Sequence, residues 1–256
     1  MSLPIRKTID LYWFNKVFNF GDQLNPYLIP KLFNVNVRWV DSTVRKNKTL
    51  AIGSILARAD SSAQVWGSGF ISATSKVIGR PNILAVRGPL TRRLLVSQGI
   101  SCPQIYGDPA LLLPSVYSPK ITKKFKVGII PHYVDYKSAF IESVRSDGGV
   151  KIINIQNKNV EQVVTEIASC EILLSSSLHG LIVADAYGIP NMWIKISNGV
   201  VGGNFKFNDY FASVGRTERS PITANSKLSV ENIVKLYQEE FPKIELDQLL
   251  KNNPFK

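Results

Sequence analysis

The chain of 256 residues is 45% hydrophobic, which is enough for one large globular core or two smaller ones. Its formal charge of +12 predicts a negatively charged partner: a phosphorylated or acidic substrate, nucleic acid, or an anionic membrane surface. Its two cysteines give neither a disulfide framework nor a metal-ligand spacing, which excludes a disulfide-stapled scaffold.

The sequence also lacks membrane-directed segments. No apolar run approaches the roughly eighteen residues needed to cross a bilayer, and the start of the chain lacks the apolar core of a signal peptide. We therefore expect a cytosolic protein. The basic residues are scattered and no nucleic-acid motif accompanies them, so we expect no nucleic-acid partner. Their clusters are either solvated faces or a peripheral contact with the inner face of an anionic membrane that carries lipid-linked substrates.

The first half alternates apolar runs with helical periods, which predicts an α/β arrangement. Strands are expected at residues 9–14, 50–55, 65–70 and 82–86, with helices starting near Pro26 and spanning residues 90–97. Asp22 lies between the first strand and the first helix, where a carboxylate either caps the helix or points into a cleft. Arg87 follows the fourth strand, and its guanidinium either clamps a carboxylate or phosphate or pairs with a structural aspartate such as Asp108.

Residues 115–124 have the composition of a linker, which predicts a domain boundary between residues 118 and 119. Beyond the boundary, strands are expected at residues 125–130, 151–155, 171–174 and 191–196, with helices at 160–168, 178–186, 205–215, 229–241 and 245–250. This alternation predicts a parallel sheet whose ligands bind at the carboxyl ends of the strands. In two-domain proteins of this kind the last helix often packs back on the first domain, although no residue here demands it.

The stretch of residues 171–190 combines a strand, a turn and a helix. Ser175, Ser176 and Ser177 interrupt the apolar run with the residue type that caps helices, and His179 then lies in the first helical turn. The first amides of a helix lack internal partners and the helix dipole adds positive charge, so this position favours a phosphate or carboxylate. All four side chains can reach such an anion. The alternative is a histidine that packs against its own turn and binds nothing.

Taken together, these motifs resemble the polysaccharide pyruvyl transferase family over most of the chain. The matching segments are FNFGDQLNP (18–26), AVRGPLT (85–91), YGDPALLLP (106–114), and residues 51–54, 65–70, 175–190 and 203–216. Their order and spacing are more specific than any one motif. The resemblance implies an α/β fold with two Rossmann-like parallel-sheet domains facing a cleft, as in GT-B glycosyltransferases, with residues 1–118 on the acceptor side and 119–256 on the donor side.

The same resemblance implies phosphoenolpyruvate as donor and a sugar diol on an exopolysaccharide, a lipid-linked oligosaccharide or another glycan as acceptor, without a cofactor or metal. It also implies that His179 and Arg87 contact the donor. Where the family carries arginine two residues before the histidine, this chain has Ser177. Either the donor differs, or another cation meets its carboxylate; the candidates are Arg87, Lys195, Lys206 and Arg216.

The chemistry of ketal formation suggests roles for these side chains. We expect His179 to protonate the donor and Asp22 to act as the base for the sugar hydroxyls, while Ser175, Ser176 and Ser177 hold the phosphate with the helix amides. Two alternatives stay open. One is a GT-B glycosyltransferase that binds the diphosphate of a nucleotide sugar at the same helix start. The other is a non-catalytic glycan-binding relative.

Overall fold

The computed structural model describes residues 6–226, 229–238 and 240–256. Within these ranges the chain forms two parallel five-stranded sheets, one in each half, with helices packed around them. The first sheet has the order β2-β1-β3-β4-β5, with β1 Thr8–Tyr12, β2 Asn36–Trp39, β3 Lys48–Leu50, β4 Ala63–Trp66 and β5 Asn82–Ala85. The second has the order β10-β9-β8-β6-β7, with β6 Phe125–Ile130, β7 Val150–Ile152, β8 Cys170–Ser175, β9 Asn191–Lys195 and β10 Ile222–Thr223. The predicted α/β fold class with two Rossmann-like parallel sheets is confirmed.

Helices lie on the connections between these strands, because parallel strands need a crossover segment between them. The helices are α1 Phe20–Phe33, α2 Pro89–Ser97, α3 Ala139–Val144, α4 Val160–Ala168, α5 Leu178–Ala186, α6 Phe205–Ser213, α7 Val230–Val234 and α8 Asp247–Lys251. Short 3₁₀ turns occupy Leu56–Arg58, Pro109–Ser115 and Tyr133–Asp135. The predicted helix at residues 229–241 is shorter in the structure, where α7 ends at Val234; residue 239 lies outside the described ranges.

Helix α1 begins earlier than the sequence suggests. Asn19 caps it, so Asp22 lies in the first turn and Pro26 lies inside the helix. Proline has no N–H to bond the carbonyl of Asp22 one turn back, and the side chain of Asn25 donates to that carbonyl instead, at 3.1 Å. The same amide group bonds both the N–H and the carbonyl of Ile52, each at 2.9 Å. The start of α1 is thereby fixed to the segment that follows β3.

Helix α5 is buried from Leu178 through Asp185, whereas the sequence predicted a single apolar stripe. It is enclosed by its own sheet, by α4 and by the 3₁₀ turn Pro109–Ser115 of the first half. A helix that is apolar on every side is expected in such a position. Helix α5, which carries His179, is therefore packed between elements of both halves.

The hydrophobic core is continuous across the two sheets, since one cluster of buried residues includes Leu11 and Leu24 of the first half and Val164 and Leu181 of the second. The end of the chain returns to the first half. The indole of Trp66 donates to the carbonyl of Leu249 at 2.8 Å, and the ring of Phe255 packs edge-on against the same tryptophan. The boundary between residues 118 and 119 stays a prediction.

Candidate active site

A cavity of about 470 Å³ opens between the two halves. Segments that follow β1, β3, β6 and β8 form its walls, together with the starts of α1, α5 and α6. This is the position in which α/β sheets bind ligands. Four of the residues predicted from the sequence line it: Asp22, Ser177, His179 and Lys206.

His179 lies in the first turn of α5, enclosed by both halves and only 8% exposed. Its Nε2 is 3.6 Å from Oδ2 of Asp108, and neither atom has a hydrogen-bond partner among the described residues. The ring also lies against Gly21 of α1, so closely that a Cβ at that position would come within 2.0 Å of Nδ1. Gly21 and Asp108 therefore fix the imidazole from two sides, while one edge of the ring stays on the cavity wall.

Asp22 is buried beside the histidine, 7% exposed. Burial raises the pKa of this carboxyl to about 6, although the charges of His179 and Lys206 and hydrogen bonds from Phe14 and Asn19 act in the opposite direction. A carboxyl with such a pKa exchanges protons close to neutral pH. Asp22 is therefore suited to general-base chemistry at the cavity.

Two cations reach the cavity wall. Lys206, at the start of α6, is half-buried; burial and the charge of Arg87 lower the pKa of its amine to about 8, against the charge of Asp22. Arg58, in the turn Leu56–Arg58, is exposed and lines the same cavity, and it is not among the site residues predicted from the sequence. The signal that points to Arg58 is its place after β3, since loops after parallel strands line the ligand edge.

The three serines have different environments. The hydroxyl of Ser175 accepts the N–H of Ser177 at 3.0 Å and donates to the carbonyl of Ser177 at 2.8 Å. The hydroxyl of Ser176 accepts the N–H of His132 at 2.8 Å and donates to Asp135 at 3.2 Å. Only Ser177 of the three lines the cavity, and its side chain makes no capping bond to α5. The structure therefore places Ser175 and Ser176 in the turn beneath the site and not on its surface.

His132 also lies on the cavity wall. Burial lowers the pKa of this imidazole to about 4, aided by the charge of Lys206, so the ring is neutral at pH 7. His132 is not among the site residues predicted from the sequence. Its position after β6, beside β8, was the available signal.

Arg87 does not line the cavity, because its side chain is fully buried. Its Nε donates to Oδ2 of Asp209 at 3.0 Å, and Nη2 donates to the carbonyl of Phe70 at 2.7 Å. Of the two roles considered for this guanidinium, the structure shows the ion pair, with Asp209 in place of Asp108. The remaining nitrogen, Nη1, donates to the hydroxyl of Ser54 at 2.7 Å, and Ser54 lies on the cavity wall.

Comparison with known proteins identifies the family. Residues 25–198 match the family described as polysaccharide pyruvyl transferase. The chain belongs to the polysaccharide pyruvyl transferase family. The segment that matches the pyruvyl transferases contains Arg87, Asp108, Ser177 and His179, whereas Asp22 and Lys206 lie outside it and join the site through the fold.

Individual relatives extend the match. The chain is 30% identical to an uncharacterized protein of Acanthamoeba polyphaga mimivirus, over 98% of this chain and 90% of that protein. It is 26% identical to the succinoglycan biosynthesis protein ExoV of Rhizobium meliloti, over 86% of this chain and 70% of that protein. Among solved structures, a functionally uncharacterized protein of Klebsiella pneumoniae aligns with a TM-score of 0.47 and 12% identity, over 86% of this chain and 93% of that one.

Two further cations predicted for this pyruvyl transferase family member lie elsewhere. Lys195 is exposed and lines a neighbouring cavity of about 270 Å³ beside Trp193. Arg216 is buried, with Nη2 2.7 Å from Oδ1 of Asp185. Neither residue lines the cavity that holds His179. Over the described ranges, no cluster of three or more histidine, cysteine or acidic side chains is placed to bind a metal ion. The described helices are also too short or too polar to span a membrane.

Proposed function

We propose that this chain transfers the pyruvyl group of phosphoenolpyruvate to two hydroxyls of a sugar, on an exopolysaccharide or another cell-surface glycan. The products are a pyruvate ketal and inorganic phosphate. The observation that carries the proposal is the convergence of His179, Asp22 and Lys206 on one cavity, in a chain of this family. An acid, a base and an anion site are the groups that this reaction needs.

The donor carries a phosphate and a carboxylate. The first amides of α5 and the hydroxyl of Ser177 are suited to the phosphate, because helix starts attract anions and the hydroxyl is not used as a cap. Lys206 and Arg58 then take the place of the arginine that the family carries at position 177. Arg87 lies beneath the cavity wall and does not contact the donor, but its hydrogen bond to Ser54 orients that serine hydroxyl.

In the proposed reaction, His179 gives a proton to the methylene carbon of the donor, and positive charge develops at carbon 2. The first sugar hydroxyl attacks this carbon while Asp22 accepts its proton. The bond between carbon 2 and the phosphate oxygen then breaks, and the second hydroxyl closes the ketal. Asp22 passes the proton of the first hydroxyl to the departing phosphate. The proton of the second hydroxyl restores His179.

Phosphate release tests the proposal. Purified protein is incubated with phosphoenolpyruvate and a panel of glycan acceptors, and inorganic phosphate and the pyruvylated product are measured. His179→Ala should reduce the rate at least about 100-fold, because positioned acid–base groups contribute that much or more. Lys195→Ala is the matched control on the neighbouring cavity and should keep the rate. A His179→Ala variant that retains more than about a tenth of the rate removes His179 from the chemistry.

The same panel decides between the alternatives. Release of UDP or GDP from a nucleotide sugar, without phosphate from phosphoenolpyruvate, identifies a glycosyltransferase that uses the start of α5 for a diphosphate. Calorimetry that detects glycan binding but neither donor binding nor turnover identifies a binding protein. A lipid-linked acceptor, met in the cytosol at the inner face of an anionic membrane, belongs to the same proposal; it accords with the charge of +12.

A further inference from the structure

Two buried polar atoms that have no hydrogen-bond partner in the described part of the chain face each other behind the cavity. They are Oδ2 of Asp108 and Nε2 of His179, 3.6 Å apart. A buried polar atom without a partner costs about 1–3 kcal/mol of folding free energy. Two such atoms in adjacent positions therefore indicate a donor and an acceptor that form a hydrogen bond with each other. Such bonds are often long before the substrate binds.

The carboxylate of Asp108 is held in place for this contact. The residue is fully buried, and its Oδ1 accepts the N–H of Ala110 at 3.0 Å, which caps the turn Pro109–Ser115. This turn packs against α5, the helix that carries His179. Because Oδ1 is fixed by the cap, Oδ2 is the oxygen that remains for the imidazole.

The two ring nitrogens of His179 therefore have different surroundings. Nε2 is closed off from solvent and faces a carboxylate, which accepts a hydrogen bond and cannot donate one when ionised. Nδ1 faces the start of α1 at Gly21, on the side where Asp22 lies. The charged groups around the ring are thus Asp108 on one side and Asp22 on the other, with Lys206 next to Asp22.

We propose that Asp108 is a positioning residue: it keeps a proton on Nε2 of His179, so that Nδ1 is the nitrogen that exchanges a proton with the bound substrate. The choice of tautomer rests on the geometry alone. Its effect on turnover rests in addition on the function proposed above. In that reaction the proton passes from Nδ1 to the donor carbon, Nε2 keeps its own proton, and the neutral ring remains bonded to Asp108.

Nitrogen-15 NMR of the histidine side chains tests the tautomer in the wild-type protein. The chain has two histidines, so a His132→Gln variant assigns both spectra. At alkaline pH, where imidazole is neutral, we expect the His179 ring to carry its proton on Nε2. A neutral ring with its proton on Nδ1 overturns the proposal. This measurement needs neither donor nor acceptor, so its outcome is independent of the proposed function.

Asp108→Asn tests the same pair by substitution. The amide oxygen can keep the cap on Ala110 while the NH₂ group donates to Nε2, which moves the ring proton to Nδ1. We expect the tautomer to reverse and kcat to fall at least about 100-fold, with a much smaller change in the KM of the donor. Asp108→Asn with an unchanged tautomer and unchanged kcat overturns the proposal.

The matched control is Asp135→Asn, because Asp135 is also buried with one carboxylate oxygen unpaired, yet it bonds Ser176 and not His179. We expect the tautomer of His179 to be unchanged in this variant. A reversal there would assign the effect to general disturbance of the site and would overturn the role of Asp108. If Asp108→Asn does not fold, the wild-type spectrum decides. The wild-type protein could also show the proton on Nε2 and yet turn over no phosphoenolpyruvate. That result supports the pairing of Asp108 with His179 and contradicts the proposed function.

Discussion

Arg87 of the first half and Asp209 of the second form an ion pair in which neither side chain is exposed. The carboxylate of Asp209 also accepts the N–H and the hydroxyl of Thr91, each at 2.7 Å. Gly88 passes so close that a Cβ there would lie 1.9 Å from the carbonyl oxygen of Asp209. This contact fixes α2 against α6 and thereby places Lys206 relative to the first sheet.

Removing one partner of this pair should destabilise the protein strongly. Arg87→Met leaves Asp209 as a buried charge, and we expect a loss of about 3–5 kcal/mol in the free energy of unfolding, measured with urea. The double variant Arg87→Met with Asp209→Leu should recover much of that loss, since no charge is then left unpaired. Additive losses would show that the two side chains do not act as a pair.

Gly21→Ala should reduce turnover through the position of His179. A methyl group at this site would lie 2.0 Å from Nδ1, so the imidazole must move, although alanine suits the helical backbone. We expect kcat to fall at least about tenfold with little change in the melting temperature. Gly148→Ala is the control, because a Cβ there meets nothing within 4 Å. Equal rates for both variants would contradict the packing of His179 on Gly21.

Lys206→Met should weaken donor binding. The amine lies on the cavity wall, and a charged hydrogen bond to an anion contributes about 1.5–3 kcal/mol, so we expect the KM for phosphoenolpyruvate to rise about tenfold or more. Lys195→Met removes an equal charge from the neighbouring cavity and should leave this KM unchanged. The same increase in both variants would indicate a general effect of charge, and Lys206 would lose its assigned role.

The pH dependence of kcat/KM should follow Asp22 and Lys206. The pKa of Asp22 is raised to about 6, so the base is protonated and inactive at lower pH, and the rate should rise through that value. The pKa of Lys206 is lowered to about 8, so its charge is lost at higher pH and the rate should fall. Asp22→Asn should abolish the acid limb of the profile. A wild-type rate that is constant as pH rises through about 6 would exclude Asp22 as the base.

Acid should weaken the buried pair of Lys48 and Asp60, whose Nζ and Oδ2 lie 2.7 Å apart. Although burial alone would raise it, hydrogen bonds from Lys48 and Ser62 hold the pKa of Asp60 at about 2. A carboxyl whose pKa is lowered in the folded state stabilises the protein above its unfolded pKa of about 4, and this stability is lost as pH falls towards 2.

Lys48→Met should therefore cost about 3–5 kcal/mol of unfolding free energy at neutral pH, and the loss should shrink on acidification, as urea titrations at several pH values would measure. Arg38→Met is the control, since Arg38 bonds Asp10 at the surface, where an ion pair contributes less than about 1 kcal/mol. A loss for Lys48→Met that does not depend on pH would contradict the linkage to Asp60.

The sequence predicted elements well where one signal dominates. The strand Phe125–Ile130 and the helix Val160–Ala168 agree with the prediction residue for residue, because each is a clear apolar run or helical period with breakers at its ends. Strand β2 was missed because it is short and mostly exposed, so it has no apolar run. The start of α1 was misplaced, since the bonds from Asn25 to Ile52 that hold it join residues far apart in the chain.

The candidate site, like the fold, was predicted only in part from the sequence. The positions of His179 and Asp22 after strands made both candidates for a cleft but left a structural role open for each, and the structure places both on the cavity wall. The choice of partners was not predictable, because Arg87 pairs with Asp209 and His179 with Asp108 only after the two halves meet. Helix spacing says which residues share a face of one element. It does not say which charge of a distant element will lie opposite.

The position of Phe255 has a consequence for the first sheet. Its ring packs on Phe33 and edge-on against Trp66, whose indole also bonds the carbonyl of Leu249. The first half therefore does not complete its own interior: residues from the far side of the second half in the chain close it around Trp66.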